Sequence, residues 1–211
     1  MDISELLLTH EVAIRAGAFC GVLILMVVWE VFAPRRASSV SKIVRWGNNF
    51  GLVVFNSILL RLIFPTAAVG VAIFTSEHNW GLLNFFHLPP LISVAISIVV
   101  LDFVIYFQHV LMHAIPALWR LHRVHHADLD YDFTTGVRFH PLEIIVSMLI
   151  KFVAILILGP PVAAVVIFEV ILNASSMFNH GNIKLPAALD RILRLLIVTP
   201  DMHRVHHSVE K

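Results

Sequence analysis

Charged residues are scarce in this sequence, since only 14% of its 211 residues are charged and 58% are hydrophobic. Soluble domains carry about 25% charged residues, so this composition excludes an ordinary soluble domain. The formal net charge of +1 gives no electrostatic basis for binding nucleic acid. The single cysteine, Cys20, excludes an internal disulfide and any cysteine-rich metal site. What remains is the composition of an integral membrane protein.

Long hydrophobic runs replace the missing charge. Three of them, residues 16–33, 51–74 and 88–107, are long enough to cross a bilayer. A fourth, residues 144–178, would form a straight helix of about 52 Å, which is longer than a bilayer core. Gly159, Pro160 and Pro161 interrupt it, so we expect a helical hairpin whose two ends lie on the same side. The predicted fold is an all-α membrane protein with about three transmembrane helices plus this hairpin.

Basic residues predict the orientation, because cytoplasmic loops are enriched in Lys and Arg. The loop after the first run contains four of them, whereas residues 75–87 contain none. Further basic residues follow the third run and the hairpin. We therefore expect the N-terminus outside and His10, His78 and His87 on the outer side. The other ten histidines then lie at the cytoplasmic face, in a bacterial inner membrane or the endoplasmic reticulum.

Histidine is abundant, with 13 residues, and its spacing is regular. The pentapeptide HRVHH occurs at residues 122–126 and again at residues 203–207. On a helix, residues at i, i+3 and i+4 share a face, and so do residues four apart. Eight imidazoles are therefore predicted to project from three short helical faces, those of His109, His113, His122, His125, His126, His203, His206 and His207.

These clusters predict a metal site more readily than a set of ordinary polar residues. Eight rings held together without a metal would repel one another on charging and would leave buried donors unpaired. Imidazole suits zinc, copper, iron and nickel, and the lack of cysteine argues against zinc ribbons and iron–sulfur centres. Eight to ten nitrogens are too many for one ion but suit two. The sequence therefore predicts a dinuclear site.

Five motifs carry a family resemblance: DFVIYFQHVLMH, LWRLHRVHHAD, RFHPLE, FNHGNIKLP and TPDMHRVHHS. In this order and spacing, they resemble the membrane fatty acid hydroxylase and sterol desaturase superfamily of non-haem di-iron oxidases. The resemblance implies two iron ions held by the histidine motifs, dioxygen as co-substrate, a separate electron-donor protein and a lipid substrate. It implies hydroxylation or desaturation of a C–H bond in that lipid, without indicating which of the two occurs.

The resemblance divides the chain into two regions of one integral unit. Residues 1–101 form an N-terminal transmembrane region, and residues 102–211 form the histidine-rich oxidase region. Members of the superfamily usually continue into a polar segment past the last motif, whereas this sequence ends four residues after His207. We therefore expect the oxidase region to be truncated at its C-terminal end.

Four further residues are candidates for the site. The resemblance implies that His180 is a ligand, although a capping role at a helix end is the alternative. His140 precedes Pro141, so a structural turn is as plausible as ligation. Asp102 and Glu169 share helical faces with His109 and His180 and are predicted to orient these rings from behind, or else to pair with Arg61 or Lys151.

Two other classes of protein remain open at this stage. A dizinc membrane hydrolase uses similar histidines but needs an acidic base, for which Asp128, Asp130 and Asp132 are the nearby candidates. A metal-binding transporter needs polar residues through several spans, and few are present. Metal analysis separates these classes from the oxidase.

Overall fold

The computed structural model describes residues 9–208, and the regular secondary structure of this part of the chain is helical, without strands. Residues 1–8 of the predicted N-terminal region and residues 209–211 of the predicted oxidase region lie outside the described part. The helices, numbered here in chain order, are α1 Glu11–Phe32, α2 Lys42–Ile63, α3 Ala68–Glu77, α4 Leu82–Phe86, α5 Pro90–Ala114, α6 Pro116–His126, α7 Pro141–Leu158, α8 Val162–Asn179, α9 Ala187–Leu193 and α10 Pro200–His206, with a short 3-10 helix at Phe133–Val137.

Five segments of the described chain are long and apolar enough to cross a membrane. They comprise α1, the stretch from α2 through α4, α5, α7 and α8. Most of their hydrophobic side chains face outward, as in helices surrounded by lipid. The predicted all-α membrane fold is therefore confirmed, with the two arms of the hairpin supplying the last two segments.

The second hydrophobic run differs from its predicted bounds. The helix α2 begins at Lys42, well before residue 51, and ends at Ile63. Phe64 is extended, and Pro65 cannot continue a helix because it lacks the backbone N–H and restricts the residue before it. The chain resumes as the separate helix α3, which buries Ala68, Val69, Val71, Ala72 and Thr75. The apolar run 51–74 is therefore divided at Pro65, a proline that the sequence places within it.

The predicted hairpin is present. Helix α7 ends at Leu158, and α8 begins at Val162, directly after the two prolines. Gly159 adopts φ 64°, a left-handed conformation that glycine accepts without strain. A Cβ at this position would meet the carbonyl oxygen of Trp80 at 2.4 Å, so the turn requires glycine for space as well. Each arm has 18 residues, or about 27 Å of helix, which is close to the thickness of a bilayer core.

Two buried charged residues connect the transmembrane helices to the histidine-bearing layer. Glu30 of α1 is fully buried, and its Oε1 accepts hydrogen bonds from the backbone N–H groups of Phe133 and Asn182 at 2.9 and 2.7 Å. Arg45 of α2 donates to Asp128 at 2.8 and 3.1 Å and to Asp132 at 2.9 Å. These bonds fix the loop after α6 against α1 and α2. They therefore position α6 relative to the bundle.

Candidate metal centre

Nine histidines converge where α5, α6, α10 and the end of α8 meet. Pro116 and Pro200 occupy the first turns of α6 and α10, where proline is tolerated because the first N–H groups of a helix have no intrahelical partner. Both copies of HRVHH are helical, as predicted. The potential ligand atoms form four overlapping groups, each within 4.8 Å: His125/His180/His203/His207, His109/His113/His206, His113/His122/His126 and His126/His206/His207.

The closest approaches join ring nitrogens from different helices. Nε2 of His180 lies 3.0 Å from Nε2 of His125 and 3.0 Å from Nε2 of His203. Nε2 of His109 lies 2.9 Å from Nε2 of His206. Two imidazole nitrogens bound at right angles to one ion, each about 2.1 Å from it, are about 3 Å apart. The observed separations therefore match neighbouring ligands of a single metal ion.

Hydrogen bonds on the outer side of the rings fix which nitrogen carries the proton. Nδ1 of His125 donates to the carbonyl oxygen of Arg138 at 3.1 Å, and Nδ1 of His180 donates to that of Ser176 at 2.7 Å. In a neutral imidazole the other nitrogen, Nε2, is then a bare acceptor. The Nε2 lone pairs of His125 and His180 therefore face each other at 3.0 Å without a proton between them. A cation between them removes this repulsion.

His122 is oriented by a carboxylate. Its Nδ1 donates to Oε1 of Glu143, in the first turn of α7, at 2.7 Å, and both side chains are buried. Nε2 of His122 has no hydrogen-bond partner in the described structure, and neither has Nε2 of His113 or His126, nor either ring nitrogen of His207. Buried polar atoms normally find partners, so these orphaned nitrogens fit ligands of a metal ion.

Burial keeps the cluster neutral. It lowers the pKa of His125 and His180 well below the ordinary histidine value, and repulsion from neighbouring imidazolium charge adds to the effect. The same two causes lower the pKa of His126 to about 2 and that of His203 to about 3. Neutral imidazole is the form that binds metal, so these rings are ready to ligate at neutral pH without losing a proton.

The four groups divide naturally into two adjacent positions. One is surrounded by His125, His180, His203 and His207, and the other by imidazoles of α5, α6 and α10. His126 and His207 lie between the two, with their rings stacked 4.0 Å apart. The nine rings can accordingly supply four or five nitrogens to each of two ions.

The geometry of His180 fits both of the roles considered for it. Its Nδ1 bonds to the carbonyl oxygen of Ser176, as a capping residue does at a helix end, and its Nε2 belongs to the cluster. His140 lies elsewhere, since its Nδ1 accepts from the N–H of Leu142 at 3.1 Å and so caps α7. Among the described residues it belongs to none of the four groups. The structure thus favours the structural role for His140.

The two carboxylates predicted to support the ligands do not reach them. Asp102 is exposed, and Glu169 bonds to Lys151 at 2.8 Å and Arg15 at 3.0 Å. Sharing a helical face with His109 or His180 does not bring these side chains into contact, because seven and eleven residues rise about 10 and 16 Å along a helix. For Glu169 the structure thus favours the alternative role, an ion pair with Lys151, and neither carboxylate contacts a ring of the cluster, whereas Glu143 supports His122.

Three residues of the site were missed from the sequence. Glu143 lies within the quoted motif RFHPLE, and a carboxylate in an apolar helix was a usable signal. Tyr131 is buried, packs against His180, His203 and His207, and donates its hydroxyl to the carbonyl oxygen of Asn179. Trp119 packs against His113 and His126 with ring centroids 5.1 and 5.3 Å apart. No spacing pattern pointed to these two aromatic residues.

The histidines predicted to lie on the outer side take no part in the cluster. His78 and His87 bond through Nδ1 to nearby carbonyl oxygens at 2.9 and 2.8 Å, and His10 is exposed. None of the three belongs to a potential metal group in the described part of the chain. The side of the membrane on which these three histidines lie stays a prediction.

The fold and this cluster define an integral membrane protein with a histidine site suited to metal ions. The fatty acid hydroxylase family model matches residues 94–211, more than half of the chain. The chain therefore belongs to the fatty acid hydroxylase family, within the fatty acid hydroxylase and sterol desaturase superfamily.

Two curated relatives match about half of the chain. The ornithine lipid hydroxylase OlsE of Rhizobium tropici is 27% identical over 121 residues, which cover 57% of this chain and 35% of that protein. The alkylglycerol monooxygenase of Homo sapiens is 29% identical over 112 residues, which cover 51% of this chain and 23% of that protein. The chain thus matches about a third and about a quarter of the length of these relatives. No solved structure matches it significantly.

Proposed function

We propose that this protein is a membrane di-iron oxidase that hydroxylates or desaturates a C–H bond of a lipid. The observation that carries this proposal is the pair of facing Nε2 lone pairs of His125 and His180 at 3.0 Å, whose repulsion a bound cation would relieve. Membership of the fatty acid hydroxylase family supports lipid as the substrate class. Both relatives described above are named as lipid hydroxylases or monooxygenases.

Nine histidines are the proposed ligands, namely His109, His113, His122, His125, His126, His180, His203, His206 and His207. Two ferrous ions bound by them would supply the chemistry that activates dioxygen for attack on an unactivated C–H bond. In hydroxylation, one oxygen atom enters the C–H bond and the other leaves as water, with two electrons and two protons supplied from outside. In desaturation, two hydrogens leave the lipid and both oxygen atoms become water.

The chain's own groups hold these ligands in position. Glu143 and the carbonyl oxygens of Arg138 and Ser176 accept the Nδ1–H groups of three imidazoles, which directs their Nε2 atoms inward. Phe139 stacks on His125 with ring centroids 4.7 Å apart, and Tyr131 packs on the other three rings of the same group. These aromatic rings exclude water from that side of the site, which protects a reactive oxidant.

The proposed oxidase function also requires an electron donor and a defined orientation in the membrane. We propose a separate protein as the electron donor, residues 1–101 as the membrane anchor and residues 102–211 as the oxidase region of one unit. The N-terminus is proposed to lie outside and the histidine cluster at the cytoplasmic face. Tags placed within residues 75–87 and within residues 121–140 should then be labelled from opposite sides of the membrane, and labelling from one side would overturn this orientation.

A dizinc hydrolase is the weaker alternative, because its candidate bases are engaged elsewhere. Asp128 and Asp132 bind Arg45, and Asp130 accepts from Ser39 and from the N–H of Val40. Burial raises the pKa of Asp128, but hydrogen bonds from Arg45 and Thr135 outweigh this effect and hold it below its ordinary value. An ion-paired carboxylate with a lowered pKa is a poor general base at neutral pH.

Oxygen labelling tests the proposed activity. Iron-loaded protein in lipid nanodiscs is reduced chemically, mixed with ¹⁸O₂, and its lipids are analysed by mass spectrometry. The proposal predicts ¹⁸O in a lipid alcohol or loss of two hydrogens from an acyl chain, in either case dependent on both oxygen and reductant. Hydrolysed lipid formed without oxygen would support the hydrolase and contradict the oxidase.

A further inference from the structure

An open groove adjoins the histidine cluster beside helix α6. It has a volume of about 540 Å³, within the roughly 300–1,000 Å³ typical of small-molecule sites. His126 and His207, which lie between the two metal positions, form part of its lining. A molecule in this groove therefore reaches the cluster at its accessible edge.

The rest of the lining combines apolar surface with positive charge. Trp119 forms part of the wall and also packs on His113 and His126. Within residues 9–208, the charged residues that line the groove are Arg123 and Arg138, both cationic, and no carboxylate of this part of the chain lines it. This distribution of charge is complementary to an anion and unfavourable for a cation.

The two arginines differ in how firmly they are held. Arg138 donates from Nε to the carbonyl oxygen of Val124 at 3.0 Å and from Nη1 to Oδ1 of Asn49 at 3.4 Å. A guanidinium has five N–H donors, so three remain for a ligand. Arg123 is exposed and makes no hydrogen bond or ion pair with any residue in the described part of the chain. Its whole guanidinium is free to bind an anion in two-pronged geometry.

We propose that this groove binds the anionic head group of the lipid substrate, a carboxylate or a phosphate, between Arg123 and Arg138. The adjoining carbon chain then lies along Trp119 and presents a C–H bond at the His126 and His207 edge of the cluster. This inference rests on the proposed oxidase function and adds the charge class of its substrate. The concave shape and modest volume favour such a head group over the surface of a protein partner.

A binding experiment on metal-free protein tests this assignment independently of activity. The full chain is placed in nanodiscs of zwitterionic lipid, and the affinities of three single-chain probes with the same acyl group are measured. The probes are a free fatty acid, a lysophosphatidate and an uncharged monoacylglycerol. For each probe, the ratio of variant to wild-type affinity is compared, which cancels the probe's own partition into the bilayer.

Arg123→Gln should weaken the binding of one or both anionic probes about tenfold or more and leave the affinity for the monoacylglycerol unchanged. Arg123→Lys, which keeps the charge, should recover part of the loss. Arg120→Gln is the matched control, because Arg120 is exposed one turn earlier on α6 and does not line the groove. If only the fatty acid loses affinity in Arg123→Gln, the head group is a carboxylate. If only the lysophosphatidate loses affinity, the head group is a phosphate. If both lose affinity, the groove accepts an anion of either kind.

Unchanged anion affinity in Arg123→Gln, or an equal loss in Arg120→Gln, would overturn the head-group site. Failure of the underlying function would look different. Iron-loaded wild-type protein would then oxidise none of the three probes, whatever their affinity for the metal-free protein. If wild-type protein oxidises the probes while Arg123→Gln keeps its anion affinity, the oxidase stands and the groove proposal falls.

Discussion

Removing the carboxylate of Glu143 should weaken metal binding more than removing any other acidic side chain near the site. The Oε1 of Glu143 lies 2.7 Å from Nδ1 of His122, and both side chains are buried, with 3% and 1% of their surface exposed. In Glu143→Ala the Nδ1–H group of His122 loses its acceptor in a place that water does not reach. The ring is then free to change its tautomer and its orientation.

The expected magnitude follows from what such supporting carboxylates contribute elsewhere. Loss of the partner behind a metal-bound histidine typically costs 10- to 100-fold in affinity, or about 1.4–2.7 kcal/mol. Glu143→Gln should cost less, because the amide oxygen still accepts the Nδ1–H bond without its charge. Iron retained after equilibration with a competing chelator, measured by mass spectrometry, gives these affinities directly.

Asp102→Asn is the matched control, because Asp102 is an exposed carboxylate in the neighbouring helix α5 that contacts no imidazole in the described structure. It should keep wild-type iron affinity. If Glu143→Ala binds iron as tightly as the wild-type protein, or if Asp102→Asn loses as much, the reasoning about which carboxylate supports the ligands is refuted.

Three further predictions concern the cluster and its attachment to the bundle. His125→Ala and His206→Ala should each abolish lipid oxidation and lower iron content, and the double variant should do little further harm, because residues acting as one unit are not additive. Arg45→Met should destabilise the protein by about 3–5 kcal/mol in a denaturant titration, since it leaves two buried carboxylates without their ion-pair partner. Arg61→Met should have little effect, because Arg61 is exposed on the same helix. Metal-free protein should lose stability as the pH falls from about 6.5 toward 3. The unfolded chain protonates its histidines near pH 6.5, whereas the folded cluster has lowered pKa values, down to about 2 and 3 for two of its rings.

Each of these has its own contrary result. If His125→Ala and His206→Ala each lost one metal ion and the double variant lost both, the chain would contain two independent mononuclear sites. Equal destabilisation by Arg45→Met and Arg61→Met would remove the role given to the buried ion pairs. Metal-free stability that rises or stays constant on acidification would show that the folded cluster takes up protons as readily as the unfolded chain.

Local spacing predicted the histidine faces well because helix geometry alone sets them. The repeat HRVHH contains its own i, i+3 and i+4 pattern, and Pro116 and Pro200 mark the helix starts. The hairpin was equally local, since Gly159 and the two prolines after it end any helix. These features depend on a few consecutive residues and needed no knowledge of tertiary contacts.

Other features depend on contacts between distant segments and were not predictable in this way. Helix α2 begins at Lys42, before the apolar run 51–74, because its first turns contain polar residues that contact distant segments of the chain. Asp102 and Glu169 were chosen for their helical face, but the rise along the helix places them too far away. The supporting carboxylate, Glu143, comes from a different helix than His122, so no spacing within one helix could reveal the pair.

The central claim is that both copies of HRVHH surround one pair of metal ions. The most direct test is to measure the metal content of the purified full chain together with the magnetic properties of the bound metal by Mössbauer spectroscopy. We expect two irons per chain whose spins are coupled, with both the stoichiometry and the coupling lost in His125→Ala. One iron per chain, two uncoupled irons, or stoichiometric zinc in active protein would contradict it.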